Sequence, residues 1–199
     1  MNSIVINLKS RKDRLDAFSE NNSGTVVGSR LLEAVDGSEL TYASLKEMGF
    51  DTDKSWRDPI LGRVMTRGEI GCFLSHYKVW QMVAQGTEPV AVFEDDVKCT
   101  QPLVSVIPLL RNHEFMYLVH SEQKEAGAKV VNEHLVKPCY PYWLAAYIIT
   151  PAAAQKLIST DIHQNIIPCD EYLPRMMDKL DAVALRNPIC MQISRSEMG

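Results

Sequence analysis

Residues 89–96 read PVAVFEDD, and this short stretch decides the fold class. Its apolar part, residues 89–93, is continuous and brief, which is the pattern of a central strand covered on both faces. The carboxylates Glu94, Asp95 and Asp96 follow directly. Ligands of α/β sheets bind beyond the carboxyl ends of the strands, so these carboxylates stand where a ligand is expected.

The acidic triplet Glu94-Asp95-Asp96 is a candidate metal site. Adjacent carboxylates repel one another unless a cation or hydrogen-bond donors neutralise them. Mg²⁺ and Mn²⁺ prefer carboxylate, phosphate and water oxygens. Side chains alternate along an extended strand, which predicts Glu94 and Asp96 on one side and Asp95 on the other. A solvated acidic turn is the commoner use of such a triplet, and phosphatases and nucleases use similar carboxylates, so these alternatives stay open.

The flanking sequence alternates between strand and helix patterns. Thr66 and Glu69 have capping-box spacing, and apolar residues then recur at helical spacing as far as Trp80. The other predicted strands are residues 3–8, 26–27, 31–35, 115–119, 145–150, 183–185 and 189–193, and the other predicted helices are residues 11–18, 42–48, 103–110, 151–158 and 170–180. This alternation predicts an α/β domain with a mostly parallel central sheet flanked by helices.

Composition narrows the class of protein. A length of 199 residues, 46% hydrophobic and 23% charged, predicts a single domain over residues 1–199. A net charge of −4 without a basic block argues against a nucleic-acid partner. Five cysteines without CxxC spacing favour free thiols in a reducing compartment. The N-terminus has too few apolar residues for a signal peptide, and no run approaches the roughly 20 residues of a membrane span, so we expect a cytoplasmic protein.

Polar residues near the first strand and on the capped helix are candidate ligand contacts. Asn7, Arg11 and Arg14 follow the strand, where they would contact a nucleotide or its diphosphate, or only solubilise a helix. Ser75 and His76 lie near the polar side of the capped helix. A single histidine on a helix is more often structural or simply exposed than catalytic.

Two further groups lie in the second half of the chain. Asp170 and Glu171 open a predicted helix, where the helix dipole favours acidic residues regardless of function. The functional alternative is a general base acting on a hydroxyl group. Tyr140, Tyr142 and Trp143 form an aromatic patch, which would stack on a sugar or a base, although core packing is the commoner use of such residues.

These segments together resemble glycosyltransferase family 25, the group of lipooligosaccharide β-galactosyltransferases and procollagen galactosyltransferases. They stand in the family's order and span most of the chain. The GxxGCxxSH pattern followed closely by EDD is the most specific part. The matching segments are INLKSRKDR (6–14), EAVDG (33–37), GEIGCFLSHYKVW (68–80), VAVFEDD (90–96), FMYLVH (115–120), AAYIITPAAAQKLI (145–158) and PCDEYL (168–173).

The resemblance implies a GT-A fold and an inverting, metal-dependent transfer of a hexose, most often galactose from UDP-galactose, to a glycan or other hydroxyl acceptor. It implies Mn²⁺ or Mg²⁺ held by Glu94 and Asp96, and a base at Asp170 or, as second choice, Glu171. Lipopolysaccharide biosynthesis is the matching role. By the same resemblance, the nucleotide-sugar contacts are Asn7, Leu8, Arg11, Arg14, Val35, Asp36, Ser75, His76 and Asp95.

Two other classes of function remain open at this stage. One is a catalytically silent module that binds a nucleotide sugar or a carbohydrate, and the other is a metal-dependent phosphohydrolase. The acceptor is also open, and a lipid-linked acceptor would bring the protein to a membrane surface without a transmembrane segment.

Overall fold

A computed structural model describes residues 1–122 and 127–193 of the chain. The helices are α1 (Lys12–Asn21), α2 (Tyr42–Glu47), α3 (Arg67–Ala84), α4 (Pro151–Ile158) and α5 (Cys169–Met176). The strands are β1 (Asn2–Asn7), β2 (Arg30–Glu33), β3 (Val90–Glu94), β4 (Val97–Cys99), β5 (Phe115–Tyr117), β6 (Ser121–Glu122), β7 (Lys129–Val130), β8 (Leu135–Lys137), β9 (Pro141–Tyr142), β10 (Ala146–Ile149), β11 (Ala182–Leu185) and β12 (Cys190–Gln192). Short 3-10 turns occupy Gly37–Glu39, Leu103–Ser105, Ile107–Leu110 and Asp161–Gln164.

In the described part of the chain, eight strands form one sheet in the order β2-β1-β3-β10-β5-β11-β8-β7. β1 pairs in parallel with β2 and β3, and β5 pairs in parallel with β11. β10 runs antiparallel to β3 and β5, and β8 runs antiparallel to β11 and β7. The predicted α/β architecture is therefore confirmed, with a mixed sheet in which β10 and β8 are the exceptions to the predicted parallel arrangement.

β3 is a central strand with both faces covered, as its apolar run predicts. Ala91, Val92 and Phe93 are each 0% exposed. Val92 packs in the cluster that contains the buried faces of α3, α4 and α5, whereas Phe93 packs in the cluster on the other face, which includes Phe18 of α1. The sheet thus lies between two helical layers, and β3 is held rigidly where it delivers the acidic triplet.

α3 begins with the predicted capping box. The Thr66 hydroxyl accepts a hydrogen bond from the backbone N–H of Glu69, and the Glu69 carboxylate accepts one from the backbone N–H of Thr66 at 2.7 Å. The helix buries Phe73 and Trp80 completely. No helix within the described ranges, including α3, is long and apolar enough to cross a bilayer.

Three predicted elements differ from the structure. Residues 103–110 form two 3-10 turns and not one helix, because Pro108 lacks an N–H and disfavours helical backbone at the residue before it. Val27 is 80% exposed in the turn after α1, so the predicted strand at residues 26–27 is wrong. α5 ends at Met176 because Pro174 already interrupts its hydrogen bonding, whereas the sequence predicted a helix as far as residue 180.

Candidate active site

The acidic triplet lies at the carboxyl edge of the sheet, as the sequence predicts. β1 ends at Asn7 and the neighbouring parallel strand β3 ends at Glu94. The side-chain amide of Asn7 donates a hydrogen bond of 2.6 Å to the Asp95 carboxylate. Both groups are buried, so this bond ties the ends of the two strands together.

The three carboxylates of the triplet have different partners. Arg14 of α1 forms ion pairs with both Asp95 and Asp96. Glu94 instead lies 3.2 Å from the imidazole Nε2 of His76 on α3. The prediction that Asp95 points away from Glu94 and Asp96 is wrong, because all three carboxylates line one cavity and Asp95 shares its arginine with Asp96. Strand geometry ends at Glu94, and the turn that follows brings Asp95 and Asp96 to the same arginine.

Burial shifts the titration of the two aspartates. It raises the pKa of Asp95 and of Asp96 above the ordinary 3.8, and the neighbouring carboxylates act in the same direction. The guanidinium of Arg14 opposes this shift at both residues. Negative charge at the triplet is therefore only partly compensated by the protein.

His76 is a buried residue with a complete set of hydrogen-bond partners. The indole N–H of Trp80 donates to the Tyr147 hydroxyl at 3.2 Å, and that hydroxyl lies 3.0 Å from His76 Nδ1. Burial lowers the pKa of His76, but its contacts with Tyr147, Cys72 and Glu94 outweigh this effect and hold the pKa well above the ordinary 6.5, so Nε2–H donates to the Glu94 carboxylate. His76 thus orients Glu94 at the wall of a cavity that both residues line.

One cavity has a volume of about 700 Å³ and contains most of the contacts that the resemblance predicts for a nucleotide sugar, and we name it the nucleotide-side cavity after that prediction. Asn7 lies directly behind Asp95 and is 3% exposed. Arg11 is not a lining residue, because its exposed guanidinium pairs with Asp13 at 2.7 Å. The predicted residues that line this cavity are Leu8, Arg14, Val35, Asp36, Ser75, His76, Glu94, Asp95 and Asp96.

Two glycines explain how the wall of the nucleotide-side cavity closes. A Cβ at Gly71 of α3 would lie 2.6 Å from the carbonyl oxygen of Val35, and one at Gly37 would lie 2.0 Å from the carbonyl oxygen of Arg67. Only glycine permits this close approach between the helix and the loop. The Ser75 hydroxyl then reaches the backbone N–H of Val35 and accepts a hydrogen bond of 2.9 Å.

A second cavity of about 380 Å³, the acidic–aromatic cavity, adjoins the first. Cys72 and Glu94 line both cavities and therefore mark their junction. The predicted catalytic residues Asp170 and Glu171 lie in the wall of the second cavity, together with the aromatic residues Trp56, Tyr142 and Trp143. The structure thus brings both predicted acidic motifs to one continuous cleft.

At the start of α5, Asp170 is half-buried and Glu171 is buried, and the two carboxylates have different surroundings. The Asp170 carboxylate accepts a hydrogen bond of 3.0 Å from the backbone N–H of Leu144, while burial raises the pKa of Asp170. Glu171 accepts hydrogen bonds from the hydroxyls of Tyr140 and Tyr142 at 2.7 and 3.0 Å. Burial and then Glu171 raise the pKa of Tyr140 to about 12, so these tyrosines remain donors.

Comparison with protein families identifies the chain. Residues 1–140 match the family described as glycosyltransferase family 25 (LPS biosynthesis protein). The chain belongs to glycosyltransferase family 25. The match includes β1, α3 and the acidic triplet, which are the elements that form the nucleotide-side cavity.

Family 25 relatives include a protein named as a galactosyltransferase and a protein named as inactive. Human procollagen galactosyltransferase 2 is 35% identical over 187 residues, which is 88% of this chain and 30% of that protein. Human inactive glycosyltransferase 25 family member 3 is 33% identical over 186 residues, which is 88% of this chain and 31% of that protein. The chain therefore spans less than a third of the length of these relatives.

Solved structures confirm the GT-A fold of this family 25 chain. Glycosyltransferase GlyE of Streptococcus pneumoniae TIGR4 superposes with a TM-score of 0.50 at 14% identity, over 98% of this chain and 55% of GlyE. The inositol-1-phosphate CTP transferase of T. maritima also gives a TM-score of 0.50 at 14% identity, over 100% of this chain and 91% of that one. At such identities the likeness concerns the fold alone.

The donor set at the triplet fits the divalent cation that family 25 membership implies. The Oδ1 atom of Asp96 is buried and has no hydrogen-bond partner among the described residues. Burying an unpaired carboxylate oxygen is costly, and a cation would offset that cost. Glu94, Asp95 and Asp96 also exceed in charge the one arginine that pairs with them, and oxygen ligands suit Mn²⁺ or Mg²⁺.

Two site residues escaped the sequence analysis. Cys72 lies at the junction of the cavities, and its position within GEIGCFLSH was a signal that the sequence offered. Gln192 of β12 donates a hydrogen bond of 3.1 Å to the Asp96 carboxylate. The sequence around Gln192 does not indicate this contact, because β12 reaches the triplet through its pairing with the distant strand β4.

Proposed function

We propose that this chain acts as a single transferase domain, residues 1–199, which moves galactose from UDP-galactose to a hydroxyl acceptor with inversion at the anomeric carbon. One arrangement carries the proposal: the nucleotide-side cavity and the acidic–aromatic cavity meet at Glu94. A donor diphosphate beside the triplet would place its sugar at this junction. The choice of galactose is supported by the galactosyltransferase among the relatives.

Asp170 is the proposed base. Burial raises the pKa of Asp170. A general base is most effective when its pKa lies close to the working pH, so this shift suits the role. Asp170 would take the acceptor hydroxyl proton as the oxygen attacks the anomeric carbon from the face opposite the diphosphate. Glu171 is the second choice, because its carboxylate already accepts two tyrosine hydroxyls.

Charge control at the donor diphosphate is the proposed task of the triplet. Glu94 and Asp96 would hold Mn²⁺ or Mg²⁺, with Asp95 kept in place by Asn7 and Arg14. Such an ion would supply positive charge beside the leaving nucleoside diphosphate, on which negative charge develops. Arg14, which also lines the cavity, adds a permanent positive charge beside the same group.

A catalytically silent module is the second candidate, favoured by the relative described as an inactive family member. It would bind the nucleotide sugar without turnover. Against it stands the cost of burying Asp96 and Asp170, which a binding module has no need to maintain. A cytoplasmic location and membrane contact through a lipid-linked acceptor stay predictions from the sequence.

The deciding experiment combines binding with turnover. Purified protein is screened by thermal shift with UDP-hexoses, with and without Mn²⁺, since a ligand of the native state raises the melting temperature. UDP release and product anomeric configuration are then measured for the best donor. The variant Asp170→Asn should lower turnover by about 10²–10⁴-fold. The exposed Asp16→Asn is the matched control and should leave turnover unchanged.

Each rival has its own outcome in this experiment. Binding of UDP-hexose without UDP release would support the silent module and contradict the transferase. Release of inorganic phosphate would instead support a phosphohydrolase. Full Mn²⁺-dependent turnover in Asp96→Asn would show that Asp96 is not a metal ligand.

A further inference from the structure

Trp143 has an unusual backbone conformation beside the proposed base. Its φ angle is 70°, and among the described residues it is the one non-glycine residue with positive φ. A bulky side chain in this left-handed region is a true outlier that persists only where the surroundings enforce it. Its indole is nevertheless 48% exposed, so burial of the side chain does not explain the strain.

Neighbouring contacts hold the backbone of Trp143 from both sides. On one side, Tyr142 pairs with Ser121 across β9 and β6 and donates its hydroxyl to Glu171. On the other side, the backbone N–H of Leu144 donates to Asp170. The strained turn is therefore fixed by the same two carboxylates that the proposed chemistry uses.

The cavity that the indole lines has a distinctive chemistry. Its aromatic surface comes from Trp56, Tyr142 and Trp143, whereas its charged lining residues are all acidic. The acidic lining residues are Asp58 and Glu69, which pair with Arg63, and Glu94, Asp170 and Glu171, which have no arginine or lysine partner among the described residues. The nucleotide-side cavity, by contrast, contains Arg14 and Arg67. A phosphate group would be repelled from the acidic–aromatic cavity, while a neutral ligand with many hydroxyls would find both an aromatic surface and hydrogen-bond acceptors.

We propose that Trp143 is the platform on which a neutral pyranose ring stacks, with its hydroxyls directed at Asp170 and Glu171. The C–H face of the sugar would cover the exposed indole, and the enforced turn would hold that indole at a fixed angle. The identification of this ring as the acceptor sugar rests on the proposed function. Stacking itself does not depend on turnover.

The test measures saccharide binding to the intact chain, with and without UDP and Mn²⁺. Ligand-observed NMR titration is run with the methyl glycosides of galactose, glucose, mannose and N-acetylglucosamine. Affinity for the best of these should fall about tenfold in Trp143→Leu and Trp143→Gly, and much less in Trp143→Phe, which keeps an aromatic face. Tyr42→Leu removes an exposed aromatic residue outside both cavities and should bind as the unmodified chain does.

Trp143→Gly also separates binding from a structural role. Glycine adopts φ of 70° without strain, so this variant should melt at the same or a higher temperature while it loses saccharide affinity. A lower melting temperature with unchanged saccharide affinity would overturn the proposal. So would the absence of binding by every glycoside.

The outcomes also separate this proposal from the transferase itself. Saccharide binding that depends on Trp143, without turnover of any UDP-hexose, would support the platform and contradict the proposed function. If Trp143→Gly instead kept turnover with an unchanged acceptor KM, the result would support the transferase and contradict the platform.

Discussion

The guanidinium of Arg14 lies 2.9 Å from the carboxylate of Asp96 and also pairs with Asp95. All three side chains are largely shielded from solvent, with exposed fractions of 17% for Arg14, 14% for Asp96 and 8% for Asp95. α1 is thereby joined to the turn that follows β3. The pairing sets the position of the triplet and also limits how much negative charge it presents.

Removal of Arg14 should destabilise the fold strongly. Arg14→Ala leaves two shielded aspartates without their cation, and breaking a buried pair in this way costs about 3–5 kcal/mol. Urea denaturation measures the free energy of unfolding. Arg11→Ala is the matched control on the same segment, because Arg11 pairs with Asp13 at the surface, where solvent screens the pair, so its loss should leave the free energy of unfolding nearly unchanged. Equal losses in the two variants would contradict a structural role for the Arg14 pair.

Asp96→Asn should stabilise the protein at neutral pH while it abolishes metal-dependent turnover. Burial raises the pKa of Asp96, so the folded state holds this proton more tightly than the unfolded chain does. The resulting stability is fully present below pH 3.8 and is lost as the pH rises through the folded-state pKa. Asparagine carries no charge to lose, so its advantage in melting temperature should grow over that range, by about 2–4 °C for each kcal/mol.

Thermal melts between pH 3.5 and pH 8 check this sign. If Asp96→Asn and the unmodified protein melted at the same temperature at every pH, ionisation of Asp96 would not destabilise the folded state. Asp13→Asn is the control, because Asp13 is exposed and Arg11 holds its pKa below the ordinary value. That substitution should lower the melting temperature slightly at neutral pH or leave it unchanged.

Local patterns predicted the parts of the site that depend on neighbouring residues in sequence. The Thr66–Glu69 capping box and the apolar run of β3 each specify their own element, so the triplet and α3 were placed correctly. The directions of the three carboxylates were not predicted correctly, because a turn replaces strand alternation after Glu94.

Other parts of the site depend on distant contacts and had no local signal. β6 and β9 are two-residue strands that exist only through their mutual pairing. The left-handed turn at Trp143 is imposed by Asp170, which lies far along the chain. A pattern of residue types does not report that two cavities meet at Cys72.

Gly71→Ala should disturb the nucleotide-side cavity. Its Cβ would lie 2.6 and 2.8 Å from backbone atoms of Val35 and Gly37, so α3 and the loop must separate. Overpacking of this kind costs about 1–3 kcal/mol. The separation would also stretch the bond between Ser75 and Val35, so we expect weaker UDP binding in a calorimetric titration.

Gly68→Ala is the matched control for this prediction. It lies one turn earlier in α3, and the nearest atom to its added Cβ is 4.0 Å away. Alanine favours helix over glycine by up to about 1 kcal/mol, so Gly68→Ala should keep or raise stability. If Gly71→Ala were equally stable, the close approach of α3 to the 35–37 loop would not be needed for folding.

Cys72 should be the thiol that reports occupancy of the cleft. A hydrogen bond from Cys169 and then the proximity of His76 lower the pKa of Cys72 from 9.0 to about 7, although desolvation of the sulfur by its neighbours opposes this shift. The thiolate is the reactive form, so in metal-free buffer the rate of alkylation by iodoacetamide should rise through about pH 7. UDP should slow this reaction, because Cys72 lines both cavities. Cys139 is also exposed but lines neither cavity, so it is the control. Peptide mass spectrometry should find that UDP leaves the labelling of Cys139 unchanged. Equal protection of both thiols would contradict nucleotide binding at this cleft.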